Sequence, residues 1–302
     1  MRVLLLGAGG QLGRELARTL EPVVDLVALD HRSADLADPV SLVGAIGRVR
    51  PQAIVNAGAY TAVDRAESDG PIAHAVNAVA PGILGAEARR LGALVVHYSS
   101  DYVFDGSKDG WYEEGDATAP LSVYGCTKRD GELALAASGA HQVTLRTSWV
   151  VGRGGANFAR TMLRLARDRD RLRVVDDQHG VPTPTTLLAR VTADLLARFG
   201  RDGGSGVAAG LYHLVPGGET TWHGYARHVL EQAERAGIAL RVGAEAVEPI
   251  ATADYPTPAR RPANSRLSTR HVAATFGLAL PSWQEALAEV LPDILQEEKA
   301  IP

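Results

Sequence analysis

Short apolar runs alternate with longer amphipathic stretches through the first half of the chain. Val3-Leu4-Leu5-Leu6 reads as a strand buried on both faces, closed by glycine and followed by a helix from near Gln11. Val23 to Leu29 predicts a second strand. Pro39 in a first helical turn, with Asp38 before it as cap, opens the next helix. Ala53–Asn56 predicts a third strand, Pro71–Leu91 a long helix and Leu94–Tyr98 a fourth strand. A helix around Tyr124 and a strand at Val143–Arg146 complete the series. Strands that alternate with helices imply right-handed crossovers. The predicted fold class is therefore α/β, a Rossmann-type doubly wound parallel sheet with a smaller C-terminal substrate-binding lobe.

The rhythm changes near Trp149. Gly152–Gly155 reads as a loop, Asn157–Arg169 as a basic helix, and Asp176–Pro184 as a loop broken by prolines. Gly203–Gly206 reads as a surface turn. Pro249, Pro256, Pro258 and Pro262 make the segment they span largely non-helical. These changes predict a dinucleotide-binding domain over 1–148, joined by later segments near 185–200 and 220–236, with 149–302 mainly a substrate-binding lobe.

Composition removes several classes of function. A net charge of −4 argues against nucleic acid as a partner. The single cysteine, Cys126, rules out an internal disulfide and any cysteine-rich zinc site. Glycines interrupt the first apolar run too early for a signal peptide, and no stretch approaches the roughly 20 apolar residues a membrane span needs. A cytoplasmic protein without a membrane partner is expected.

Gly7, Gly10 and Gly13 follow the first strand directly, in Gly7-Ala8-Gly9-Gly10-Gln11-Leu12-Gly13. Glycine at such places permits a tight turn, close approach of a pyrophosphate and close helix–sheet packing. The helix then offers unpaired N–H groups and its positive dipole end to the phosphates. Asp30 ends the second strand, where a carboxylate can bind an adenosine ribose and favour NAD. Arg32 can instead take a 2′-phosphate and favour NADP. Both NADH and NADPH stay open. Ala59, Tyr60 and Thr61 follow the third strand at the sheet edge where such a cofactor lies.

Ser99 and Ser100 leave the fourth strand at that same edge. Tyr124 and Lys128 are four apart, so a helix stacks them on one face. A hydroxyl at Ser100 can bind a substrate oxygen while Tyr124 gives it a proton. Lys128 is expected to lower the phenol's pKa and to touch the nicotinamide ribose. Hydride transfer to or from a carbonyl is the reaction class implied.

With these residues the chain resembles the extended short-chain dehydrogenases/reductases, whose members mostly act on nucleotide sugars. The resemblance runs through Gly10–Gly13, Thr61–Glu67, Ser100–Gly106, Arg146–Val150, Asn157-Phe158, Asp177–Thr183 and Arg261–Leu267, nearly the whole chain. It implies Ser100, Tyr124 and Lys128 as the catalytic set. Gly10, Gln11, Leu12, Asp30, Ala59, Tyr60 and Thr61 become cofactor contacts. Ser100, Asp101, Tyr102, Trp149 and Asn157 become contacts to a nucleotide-sugar substrate. Trp149 offers a flat face to a deoxysugar, and Arg261 and Arg266 are candidates for its pyrophosphate.

By the same resemblance, some members dimerise through a magnesium ion held by glutamates. One such position is Glu15, but the other is Thr186, which has no carboxylate. No structural magnesium is expected, and monomer and homodimer both stay open. Within the superfamily, dehydratases follow the catalytic hydroxyl with Asp-Glu, whereas Ser100 is followed by Asp101-Tyr102. A related epimerase or reductase, or a non-catalytic subunit similar to the regulatory one of methionine adenosyltransferase, remains the alternative.

Overall fold

The computed structural model describes residues 1–201, 204 and 206–299. Its centre is a six-stranded sheet in which every pairing is parallel. Strands β1 (Arg2–Leu6), β2 (Asp25–Leu29), β3 (Ala53–Asn56), β4 (Leu94–Ser100) and β5 (His141–Thr147) are joined by an edge strand, Gly210–His213. From that edge the order is β5, β4, β3, β1, β2. The order reverses between β1 and β3, and open α/β sheets bind ligands beyond the strand ends at such a point. Register sets Leu6 beside Asn56 and Ser100 beside Thr147, so the predicted site residues leave the sheet along one edge.

Helices cover both faces. On one, α1 (Gln11–Leu20) supplies Leu16 and Leu20 to a cluster that also takes Leu188, Leu195 and Leu196 from the helix Thr185–Arg201. On the other, α2 (Pro39–Val49) packs Leu42 and Ile46 with Leu84, Ala88 and Leu135. β3 and β4 are buried along their whole length, which explains their unbroken apolar runs. A third cluster holds Phe104, Met162, Val181, Tyr225, Val229 and Leu287 and forms the core of the second lobe.

Several segments depart from the expected pattern. The second strand starts at Asp25, because Val23 and Val24 turn back to bond Leu20 O. The segment 220–236, expected beside the sheet, folds as Trp222–Arg235 and packs its Tyr225, Val229 and Leu230 into the second lobe instead. The loop at 176–184 contributes short pairings, His179–Gly180 with Thr220–Thr221 and Thr183–Pro184 with Val150–Val151. Of the turn expected at 203–206, positions 203 and 205 lie outside the described residues.

The long helix expected from Pro71 is interrupted. It runs as Gly70–His74, a π turn at Ala75–Val79, then Ala80–Leu91. Pro81 has no N–H to bond the carbonyl of residue 77, and its ring would crowd that carbonyl in a regular α-helix. The π turn moves the Asn77 carbonyl aside, toward the Val123–Ala137 helix. There only glycine fits, since a Cβ on Gly131 would lie 2.0 Å from Asn77 O. The Asn77 side chain accepts from Tyr60 N at 2.9 Å and donates to Tyr60 O and Thr127 Oγ1. Among the described residues no helix is long and apolar enough to cross a membrane.

Candidate active site

The turn after β1 is shaped by steric necessity. Gly7 has φ +77°, and a Cβ there would meet Gly58 N at 2.4 Å. A Cβ on Gly13 would stand 2.0 Å from Gly7 O, so this residue lets α1 sit tightly on the turn. Gly9 and Gly10 differ from these, with no atom nearer than 3.9 and 3.4 Å to an added Cβ. Both line a cavity of about 790 Å³ that runs along the strand ends. Gly10 caps α1 without any side-chain bond to the first turn. An open backbone cradle at a helix N-terminus fits a dinucleotide pyrophosphate. Gly13→Ala should therefore push α1 off the turn and cost about 1–3 kcal/mol by overpacking. The check is a thermal melt with a titration of reduced dinucleotide; unchanged melting and affinity would contradict this packing.

The ribose end is arranged differently from expectation. Asp30 does not face the cavity; its Oδ1 accepts from Arg32 N, Ser33 N and Ser33 Oγ and closes its own turn. Those bonds hold its pKa below the ordinary carboxylate value. Arg32 is exposed, and His31 and Ala34 of this turn line the cavity. The Gln11 amide is directed to the second lobe, accepting from Gly152 N and Asn157 Nδ2 and donating to Ala156 O. Asn157 also caps its own helix by accepting from Arg160 N. Leu12, Ala59, Tyr60 and Thr61 line the cavity.

Ser100, Tyr124 and Lys128 all line the cavity. Ser122 accepts from Gly125 N and starts the helix that carries Tyr124 and Lys128. A Cβ on Gly125 would lie 2.2 Å from Tyr102 O, so glycine there lets this helix close on the end of β4. Ser100 Oγ donates to Asp101 Oδ1 at 2.8 Å and turns its oxygen to the Tyr124 phenol. The tyrosine's pKa rises, to about 12, chiefly because burial penalises the phenolate, with the Asp101 charge adding. This corrects the expectation that Lys128 lowers it. The lysine is 2 % exposed, and its Nζ donates to Tyr98 O at 2.7 Å. Burial brings the ammonium down to about 8, opposed by Glu132 one turn further along the same helix. Glu132 is in turn gripped by buried Arg146 through bonds of 2.8 and 2.7 Å. A phenol kept protonated is suited to giving a proton rather than taking one.

The substrate side shows what the sequence did not. Trp149 lines the cavity, but its indole stacks on Trp222 at 3.8 Å between centroids. Gly180 covers it from another side, where a Cβ would fall 2.7 Å from the ring. Trp149 holds φ +45°, a conformation that favours glycine and that this packing sustains. The broad free face expected of Trp149 is thus shared with Trp222. Ser265, near the expected arginines, is the residue of that loop that approaches Asp101. Ser265 lies within the segment Arg261–Leu267 but was not singled out there, and for Trp222 only the neighbouring Thr221, which caps its helix, carried a local signal. Asp101 and Tyr102 line the cavity, and Tyr102 packs edge-on to Tyr124. Arg261 and Arg266 do not line it. Arg261 forks onto Asp64 at 2.9 and 3.1 Å, and Arg266 bonds Glu219 and Asn264.

The residues present do not fit the magnesium site of some relatives. Glu15 is buried between the guanidinium groups of Arg18 and Arg153, and the Thr186 hydroxyl is buried without a partner. Among the described residues no group of His, Cys, Asp or Glu is placed to hold a metal.

A doubly wound sheet with a glycine cradle at its first turn, and serine, tyrosine and lysine beside it, defines an extended short-chain dehydrogenase/reductase. More narrowly, residues 1–296 match the family model described as RmlD substrate binding domain, and the chain belongs to that family. It is 44% identical over 298 residues to a dTDP-4-dehydrorhamnose reductase of Burkholderia thailandensis, covering 98% of this chain and 100% of that one. It is 45% identical over 298 residues to the enzyme of the same name from Escherichia coli K12, covering 97% and 98%. The solved dTDP-4-dehydrorhamnose reductase of Bacillus anthracis, in complex with NADP, superposes with a TM-score of 0.88 at 30% identity, over 97% of this chain and 99% of that one.

Proposed function

We propose that this chain reduces the C4 ketone of dTDP-4-dehydro-L-rhamnose to dTDP-L-rhamnose, in the cytoplasm, as a monomer or homodimer. The convergence of Ser100, Tyr124 and Lys128 beside the open glycine cradle carries the reading. Full-length similarity to reductases of that name supports the substrate. NADPH or NADH, when bound, supplies the hydride. Gly9, Gly10 and the first turn of α1 bind the pyrophosphate, and Ala59–Thr61 border the nicotinamide half. Trp149 and Trp222 border the sugar and keep water from one side of it. Ser100 orients the ketone oxygen, and Tyr124 Oη gives that oxygen its proton as charge develops. Lys128, fixed on Tyr98 O, holds a buried amino group in the lining of the same cavity.

Tyr102 stands where a dehydratase has its second acid, which disfavours loss of water. Retention of the buried lysine and the serine–tyrosine pair disfavours a purely regulatory role. The test is purified protein with the ketosugar nucleotide and reduced cofactor, followed by nicotinamide absorbance. Stoichiometric cofactor oxidation with formation of the rhamnose nucleotide is expected. No oxidation with either NADH or NADPH would remove the assignment.

A further inference from the structure

Asp101 is a buried carboxyl, 3 % exposed, whose two oxygens are used unequally. Oδ1 accepts the Ser100 hydroxyl hydrogen, while Oδ2 is buried with no side chain in hydrogen-bond geometry, although Ser265 lies close by. A buried carboxylate oxygen without a donor is costly. Serine has one hydrogen to give. While it points at an ionised Asp101, Ser100 can only accept, and a ketone oxygen offers it nothing but lone pairs.

We infer that Asp101 sets the direction of the Asp101–Ser100 hydrogen bond beside Tyr124, and that its neutral form is the one in which Ser100 donates to the ketone oxygen. The inference rests on the reductase reading above and assigns Asp101 a positioning role within it. With a proton on the carboxyl, Asp101 becomes the donor to Ser100 Oγ, and the serine hydrogen is released toward the substrate. That proton is not consumed: Tyr124 still supplies the one that ends on the alcohol. Neutral Asp101 also removes a negative charge from beside the forming phenolate, a repulsion that otherwise adds to the high pKa of Tyr124.

The neutral form is within reach. Burial pushes the Asp101 carboxyl up to about 6, with Ser265, Ser100 and the N–H groups of Asp101 and Tyr102 opposing. The groups facing it are Tyr102 and, beyond it, the Arg261–Asp64 pair; Tyr124 on the catalytic helix; and Ser265 on the C-terminal loop. Lys128 is tied to Tyr98 O and does not bond the carboxyl.

The sign follows. Because the folded pKa is raised, the neutral form fills below about 6 and empties as pH rises through that value. The wild-type kcat/KM for ketone reduction should fall about tenfold across this limb and then level off. Asp101→Asn keeps a donor toward Ser100 at every pH, so its profile should be flat there. A limb that persists in Asp101→Asn, or a wild-type profile flat through this range, would overturn the inference. Infrared titration of wild-type protein labelled with carbon-13 aspartate gives a reading independent of turnover and of the variant's folding. A buried protonated-carboxyl band should appear below about 6 and vanish above it. Its absence at all pH values would sink the role of Asp101, whereas failure of wild-type turnover at every pH would sink the functional reading instead.

Discussion

Tyr124→Phe is expected to abolish turnover while leaving cofactor binding intact. The phenol is the group assigned to protonate the ketone oxygen, and losing a positioned general acid costs about 10²–10⁴-fold. The ring itself packs edge-on against Tyr102 at 5.6 Å, a contact phenylalanine keeps. Nothing in the glycine cradle touches the phenol, so dinucleotide affinity should not move. The comparison needs single-turnover rates and a direct titration of reduced cofactor with both proteins. A variant that reduces the ketone at the wild-type rate would remove Tyr124 from its role. A variant that loses cofactor affinity as well would show that the tyrosine shapes the cradle.

The second large effect is on stability. Glu132 and Arg146 form a bidentate pair with both side chains about 5–6 % exposed, and Arg146 also lies over the Phe104 ring. Removing one partner of a buried pair leaves an uncompensated charge and costs about 3–5 kcal/mol. Glu132→Gln should therefore lower the melting temperature by on the order of 10 °C in a chain of this size. The same change withdraws the charge that supports the Lys128 ammonium, so the lysine's pKa should fall further from about 8. Joint replacement of Glu132 and Arg146 by apolar residues of similar volume should recover much of the lost stability. Wild-type melting in Glu132→Gln would mean that water reaches this pair.

What could be read from the sequence follows from how locally each feature is determined. Val3–Leu6 with its glycine turn, the Asp38–Pro39 helix start and the spacing of Tyr124 and Lys128 depend on neighbours within a turn or two. The edge strand Gly210–His213 was invisible because it is short and pairs only with β5, from which it is distant in sequence. The π turn hides because Pro81 can equally start, kink or bulge a helix, and only the packing of Asn77 against Gly131 decides. Site residues divide the same way. Ser100, Tyr124 and Lys128 converge because their elements do. Arg261 looked available for a phosphate until Asp64, 197 positions away, was seen to hold it. The Lys128 effect on Tyr124 was misjudged for a related reason. Proximity on a helix says nothing of which carbonyl the ammonium will choose.

The π turn at Ala75–Val79 also has an effect on spacing. One surplus residue turns everything before it by about 100° relative to a regular helix. That rotation aims the Asn77 amide at the Tyr60 backbone while its neighbour Thr127 sits between Tyr124 and Lys128 on the opposite helix. The Tyr60 segment and the helix that carries Tyr124 are thereby gauged against each other by one side chain. Deleting a residue here would set the Pro81 ring against a helical carbonyl and swing Asn77 away from Tyr60, so the helix would no longer measure the width of the cleft.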